Sequence, residues 1–270
     1  LESLGFTYEN LKLFRKVIQA PNGIVLVTGP TGSGKNTTLY AALAELNTEE
    51  VNICTVEDPV ECNMPDINQF QVNEKVGFRF STALRSLLRQ DPDIIMVGEI
   101  RDEDTANIAV QAALTGHLVL STLHTNDAPG AVTRLLDLRV APYLLSASLI
   151  GVLAQRLVRK ICPNCKTEYE PSASIRKIVG SADDEVFKFY RGVGCRKCRN
   201  TGYAGRIAIH ELFVPDEGMA AMINERTGLK KIKSMALKNG MIPLQADGIE
   251  KVKAGIVSVE EVLRTAQGDS

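Results

Sequence analysis

The chain contains no tryptophan, and aromatic residues make up only 5% of its 270 positions. It also lacks an excess of either charge: 31 Lys and Arg against 32 Asp and Glu leave a formal net charge of −1. Proteins that grip nucleic acid combine a basic field with aromatic stacking platforms. Neither is present globally, so no nucleic-acid partner is expected. Nor does any apolar run approach the ~18 residues needed to cross a bilayer. The longest candidate, residues 143–154, is broken by Ser146, Ser148 and Gly151 and stops at Gln155-Arg156, so it reads as a buried helix. Repeats and low-complexity tracts are missing, and so is a signal peptide. Because the chain begins at Leu1, a fragment or processed chain in the cytoplasm is expected. With 44% hydrophobic residues it can build one large or two small cores.

What the chain does have is a phosphate-binding loop. The apolar run Ile24-Val25-Leu26-Val27 leads into Gly29-Pro30-Thr31-Gly32-Ser33-Gly34-Lys35-Asn36, and a helical pattern follows from Thr37. Strand, glycine-rich loop and helix are the context a P-loop requires. The glycines let successive N–H groups turn toward phosphate oxygens, the helix adds its free N–H groups and positive dipole end, and Lys35 supplies a mobile charge. Gly29, Thr31, Gly32, Ser33, Gly34, Lys35, Asn36 and Thr37 are therefore the candidate nucleotide-binding residues, with ATP and Mg²⁺ the expected ligands. One position departs from the pattern. Where a Ser or Thr hydroxyl should hold Mg²⁺, this chain has Asn36, whose carbonyl is a hard-cation ligand on a longer stem. Nucleotide binding is expected to survive this change and the rate of hydrolysis to suffer.

Carboxylates and a histidine fall at the ends of further strands. Residues 51–56 read as a strand ending in Glu57-Asp58-Pro59-Val60-Glu61, and Glu57 is placed to orient or deprotonate an attacking water. Residues 94–97 form a buried strand that delivers Glu99, with Gly98 before it and Arg101 just after. Residues 118–123 form a strand ending at His124, a candidate γ-phosphate sensor; His117 precedes that strand and carries no assigned role. A helix over 81–90 carries Arg85 and Arg89 at i and i+4, on one face. Asp104 is read as the cap of a helix reaching residue 114, and Thr7 as the cap of one running to residue 18. Cys54 reads as a core residue of its strand, and Cys62 is unassigned.

Composition shifts after residue 159. Cys162-Pro163-Asn164-Cys165 and Cys195-Arg196-Lys197-Cys198 form two Cys-x-x-Cys corners separated by 29 residues. Four thiolates suit tetrahedral Zn²⁺ and leave no open position for catalysis, so the site reads as structural. The intervening segment is expected to make a small helical excursion. A strand-like stretch over 207–212, containing a structural His210, then precedes helices near 218–224, 229–239, 244–254 and 258–265. Lys230, Lys231 and Lys233 read as a solvated face. The expected organisation is a P-loop core at 1–159, a metal-binding subdomain at 160–205 and a mainly helical region at 206–270.

Taken in order, the P-loop at 29–35, the acidic box at 55–61, the strand-borne acid stretch at 91–102, the histidine box at 115–125 and the tetracysteine pattern with Tyr203-Ala204-Gly205-Arg206 resemble the secretion-superfamily ATPases of type II secretion and type IV pilus assembly. The cysteines point to the assembly or secretion branch rather than the retraction branch. The resemblance implies a RecA-like α/β core with a mainly parallel sheet, a hexamer, and ATP hydrolysis coupled to a platform protein of the inner membrane, to which the subunit is peripheral. It also implies roles for Lys35, Glu57 and Glu99, for Arg85, Arg89 and Arg101 as arginines of activity, and for Arg206 near the metal subdomain. Two other readings stand beside it. One is a nucleotide-binding subunit impaired by Asn36; the other is a RecA-like nucleic-acid motor.

Overall fold

The computed structural model describes residues 1–179 and 188–266, with the side chains of residues 177 and 178 outside that description. Helix α1 (Tyr8–Ile18) is capped by Thr7, whose hydroxyl accepts the Asn10 N–H at 3.3 Å. Strand β1 (Gly23–Thr28) runs into the P-loop, which opens α2 (Lys35–Leu46). After β2 (Ile53–Glu57) and β3 (Asn68–Gln71) come α3 (Phe80–Leu87), β4 (Ile94–Val97), α4 (Glu103–Leu114) and β5 (Leu118–Leu123). Two helices, α5 (Gly130–Asp137) and α6 (Pro142–Ser148), precede the long strand β6 (Leu149–Ile161). Strand β7 (Lys166–Tyr169), helix α7 (Ala173–Val179) and strand β8 (Phe189–Gly192) form an outlying hairpin unit, and β9 (Tyr203–Phe213) returns to the main sheet. Helices α8 (Glu217–Asn224), α9 (Leu229–Lys238), α10 (Leu244–Lys253) and α11 (Val259–Ala266) complete the described chain.

Among the described residues the main sheet has seven strands in the order β3-β2-β4-β5-β1-β6-β9. Neighbours from β3 to β6 pair in parallel and only β9 runs antiparallel, on β6. Residues of β1, β2, β4 and β5 are buried throughout. That is why these strands read as unbroken apolar runs: a parallel sheet covered on both faces has no wet side. Alternation along β1 divides the core. Ile24 and Leu26 pack with α4, α5 and α6, while Val25 and Val27 pack with Phe14, Ile18, Leu39 and Leu43 of α1 and α2.

Several expectations need correcting. The buried helix expected over 143–154 is a short helix, α6, followed by the strand β6 from Leu149. An apolar run of this length does not tell helix from strand by period alone. What decides it is a parallel partner in β1 and an antiparallel one in β9, with Gly151 letting Val17 of α1 come close: a Cβ there would sit 2.7 Å from Val17 Cγ1. The cap of α4 is Asp102, not Asp104. Its carboxylate accepts the Thr105 N–H at 2.8 Å and the Thr105 hydroxyl at 3.0 Å. Asp104 lies in the first turn, where a negative charge still favours the helix dipole. Helix α3 ends at Leu87, so Arg89 lies beyond it and folds back, donating to the Arg85 carbonyl at 3.0 Å.

The helical excursion between the cysteine pairs is present as α7; the rest of it, residues 180–187, lies outside the described residues. The residue 205/206 boundary falls inside β9, so residues 206–213 lie within the core sheet. The four helices beyond it lie within a residue of where the sequence puts them. No described helix is long and apolar enough to cross a membrane.

Candidate nucleotide site and tetracysteine cluster

Because β1, β2, β4 and β5 all point the same way, their carboxyl ends deliver Gly29, Glu57, Gly98-Glu99 and His124 to one edge of the sheet, where α/β folds place ligands. A cleft of about 490 Å³ opens there. Thr31, Gly32, Ser33, Gly34, Lys35, Asn36 and Thr37 line its floor, and Glu57, Glu99, Arg101 and His124 line its far wall. Gly29 shapes the loop from behind. Its φ is +147° and a Cβ would lie 2.3 Å from the Gln155 carbonyl oxygen, so only glycine fits.

Lys35 is buried and folds over its own loop, donating to the carbonyls of Gly29 at 2.9 Å and Pro30 at 3.1 Å. Burial lowers its pKa, and the nearby Glu99 charge works against that shift. On the wall, Glu57 is buried and its oxygens are occupied. One takes the Thr55 hydroxyl at 2.6 Å and the Gln69 amide at 3.0 Å, and the other takes the Tyr40 phenol. Burial and the Glu57 bond push Tyr40 up to about 12, so it stays a donor. Glu99 is more open, ion-paired with Arg101 and 3.8 Å from His124 Nε2. Burial and the Lys35 charge lower the His124 pKa, against the pull of Glu99, so the ring is neutral near pH 7. A neutral imidazole at this place both donates and accepts. Asn36 donates its Nδ2 to Glu61 at 2.6 Å.

Arg85 is exposed on α3 and, like Arg89, is not among the residues lining the cleft. His117 donates Nδ1–H to the Ala112 carbonyl at 2.9 Å and so closes the C-terminal turn of α4. Arg206, expected beside the metal subdomain, lines the nucleotide cleft and an adjoining pocket of about 270 Å³, because the β6–β9 register sets it opposite Arg159. Gln155 is a further residue the sequence does not announce. Its amide donates to the Ser33 carbonyl at 2.7 Å and its carbonyl accepts the Thr38 hydroxyl at 2.6 Å, fastening the P-loop to β6. No motif marks it; its place depends on which strand lies beside β1.

The four predicted cysteines come together. Their Sγ atoms all lie within 4.8 Å of one another, with three edges of 3.9, 3.8 and 3.7 Å. A tetrahedral zinc with ~2.3 Å bonds to sulfur needs edges of ~3.8 Å, so the donor set fits that ion. Polar groups aim at the sulfurs as they do around thiolates: Cys195 N–H and Gly202 N–H donate to Cys198 Sγ at 3.2 and 3.3 Å, and Asn164 Nδ2 to Cys195 Sγ at 3.4 Å. The end of β8 and the turn before β9 touch here: a Cβ on Gly192 would meet the Gly202 carbonyl oxygen at 2.0 Å.

A buried lysine over a glycine loop at the head of a helix, faced by strand-end carboxylates, defines a P-loop nucleotide-binding protein. The chain belongs to the family described as Type II/IV secretion system protein, which it matches over residues 1–264. It is 53% identical over 267 residues to "Type II secretion system ATPase E" of Vibrio cholerae serotype O1, covering 99% of this chain and 53% of that protein. It is 50% identical over 265 residues to "Type IV pilus assembly ATPase PilB" of Thermus thermophilus, covering 97% and 30% respectively. The chain thus spans about half or less of these relatives. The solved pilus retraction motor PilT with bound ADP superposes with a TM-score of 0.74 at 29% identity, over 99% of this chain and 66% of that one. The Legionella pneumophila ATPase DotB shares the fold, with a TM-score of 0.69 at 24% identity.

Proposed function

We propose that this chain is the ATP-hydrolysing portion of a motor subunit that powers type II protein secretion or type IV pilus assembly. The observation that carries the proposal is the convergence of Lys35, Glu57, Glu99 and His124 on one cleft at the carboxyl edge of the sheet. The names of its half-identical relatives supply the process. On this reading the loop N–H groups and the N-terminus of α2 hold the phosphates, and Lys35 exchanges its two carbonyl partners for phosphate oxygens. The oxygens of Glu57 are held by three hydrogen bonds, whereas Glu99 is more open and paired with Arg101 beside His124, so Glu99 is the carboxylate taken to orient the attacking water. Glu57 organises the wall, and neutral His124 reads the γ-phosphate. Asn36 and Glu99 are the groups in reach to hold the hard cation that accompanies the nucleotide; that cation neutralises phosphate charge. Arg101 and Arg206 close the cleft, and Arg85 and Arg89 face outward, where a neighbouring subunit of a hexamer would meet them. The subunit then works in the cytoplasm against a platform protein of the inner membrane, with zinc in the cysteine cluster.

Mg²⁺-dependent phosphate release by the purified protein tests this directly. Lys35→Ala should reduce release to background, because the charge that follows the phosphoryl group is lost while the backbone cradle remains. Release that persists in that variant would remove the P-loop from the mechanism. A second reading, a nucleotide-binding subunit with weak turnover, draws on the Asn36–Glu61 bond at the metal-ligand position. Asn36→Thr should raise kcat by about tenfold or more, ~1.4 kcal/mol of barrier, if the longer ligand is what slows it. Equal rates in the two proteins would show that Asn36 serves as well as a hydroxyl.

A further inference from the structure

Asn36 is the position where this P-loop departs from the usual hydroxyl, and an amide has two faces with opposite chemistry. Its oxygen can bind a cation; its NH₂ repels one. An amide free to turn would present the wrong end part of the time. Here the choice is made by Glu61. An ionised carboxylate only accepts, so the group facing it at 2.6 Å has to be Nδ2. Fixing Nδ2 fixes the plane of the amide and leaves Oδ1 at its other corner. Among the described residues Oδ1 accepts no hydrogen bond.

Glu61 can do this because its backbone is pinned. Its N–H donates to the Tyr40 hydroxyl at 3.2 Å, and that phenol in turn donates to Glu57. On either side of Glu61, Val60 N–H donates to Gln71 Oε1 at 3.3 Å and Gln69 Nε2 to the Cys62 carbonyl at 3.0 Å. The loop after β2 therefore brings a carboxylate to the first turn of α2 on a backbone held at several points. Both Asn36 and Glu61 line the nucleotide cleft.

We propose that Glu61 is a positioning residue for Asn36: it holds the side-chain amide by its nitrogen, so that the carbonyl oxygen is the end left for the cation of a bound nucleotide. The proposal rests on the Mg²⁺-nucleotide reading above. It assigns Glu61 a task that exists only because residue 36 is an asparagine; a hydroxyl there has no wrong end to turn away.

The test is a binding cycle with a fluorescent ADP analogue, titrated with and without Mg²⁺. Glu61→Ala should raise the Mg²⁺ concentration for half-maximal tightening, measured against its own metal-free affinity, by about fivefold, equivalent to ~1 kcal/mol. Glu61→Gln offers Nδ2 a carbonyl acceptor but also an NH₂ that can donate to Oδ1, so its Mg²⁺ requirement should fall between those of the parent and Glu61→Ala. In an Asn36→Thr background, Glu61→Ala should shift the Mg²⁺ requirement by less than about twofold, since the coupling is gone. An equal effect of Glu61→Ala in both backgrounds overturns the proposal alone. A parent protein that binds no ADP analogue overturns the nucleotide reading, and this inference with it.

Discussion

A histidine in a protein interior with no partner for its ring is an acid-sensitive element. His210 is fully buried and lies flat on Phe6, with ring centroids 3.9 Å apart and planes 6° from parallel. Neither ring nitrogen makes a hydrogen bond of good geometry among the described residues, and the Gly5 backbone only weakly opposes the effect of burial. Burial, reinforced by the charge of Lys251, lowers its pKa to about 3. Its ordinary value is ~6.5, so below that pH the unfolded chain takes up a proton that the folded chain refuses. Stability should therefore fall as pH drops from 6.5 toward 3. Between pH 6.5 and 5 the loss from this residue is roughly 1.6 kcal/mol, since the slope grows to ~1.36 kcal/mol per unit only once the unfolded histidine is fully protonated. His210→Phe keeps the stack on Phe6 and removes the titration. Urea unfolding at pH 6.5 and pH 5 should show a smaller loss in the variant by about that amount. Equal losses in the two proteins would mean that the proton enters the folded state without cost.

At the scale of elements, the cysteine cluster should behave as a stapled module. Cys162 and Cys165 flank the turn out of β6, while Cys195 and Cys198 precede β9, so one ion would join the two longest strands of the sheet at their far ends. Metal analysis should find about one zinc per chain, and Cys165→Ser should lose it and loosen the β7–β8 hairpin, because metal binding there is folding free energy. A reduced preparation that is fully folded and metal-free would contradict this. Local signals made most elements legible. The P-loop glycines, the Thr7 cap and the strand-end acids each depend on neighbours in sequence, and each is found where the sequence puts it. Strand β6 was not legible, because its first half is apolar all round and only its partners distinguish it from a helix. Asp102 and Asp104 both suit a helix start, and only the hydrogen bonds to Thr105 separate them. Arg206 and Gln155 join the site through strand order and register, which no local pattern encodes.

At the scale of the whole molecule, the outward arginines are where the proposed assembly can be tested. Arg85 is exposed on α3, and Arg89 beyond it leans on the Arg85 carbonyl, both away from this chain's own cleft. If one of them completes a neighbour's site, Arg85→Ala should leave nucleotide binding nearly unchanged and remove the rise of specific activity with protein concentration. Mixing Arg85→Ala with Lys35→Ala subunits should restore turnover, since each then supplies what the other lacks. Mixtures as inactive as either parent variant would place catalysis within a single chain.

Strand β6 is fastened at its middle and at its far end. Near its middle Gln155 grips the P-loop through Ser33 and Thr38. At its far end Arg159 binds Glu261 of α11 in a two-pronged pair at 2.7 and 2.9 Å, and Ile161 N–H donates to the Ile256 carbonyl. At a rise of ~3.3 Å per residue, the span from Gln155 to Ile161, with a register shift between Arg159 and Ile161, makes an arm up to ~20 Å long. Tilting that arm by ~10° at the phosphate end would sweep the cysteine end through ~3.5 Å. A displacement too small to open the cleft would thus be magnified where the chain leaves the sheet, and the four-cysteine cluster would ride at the tip of the pointer.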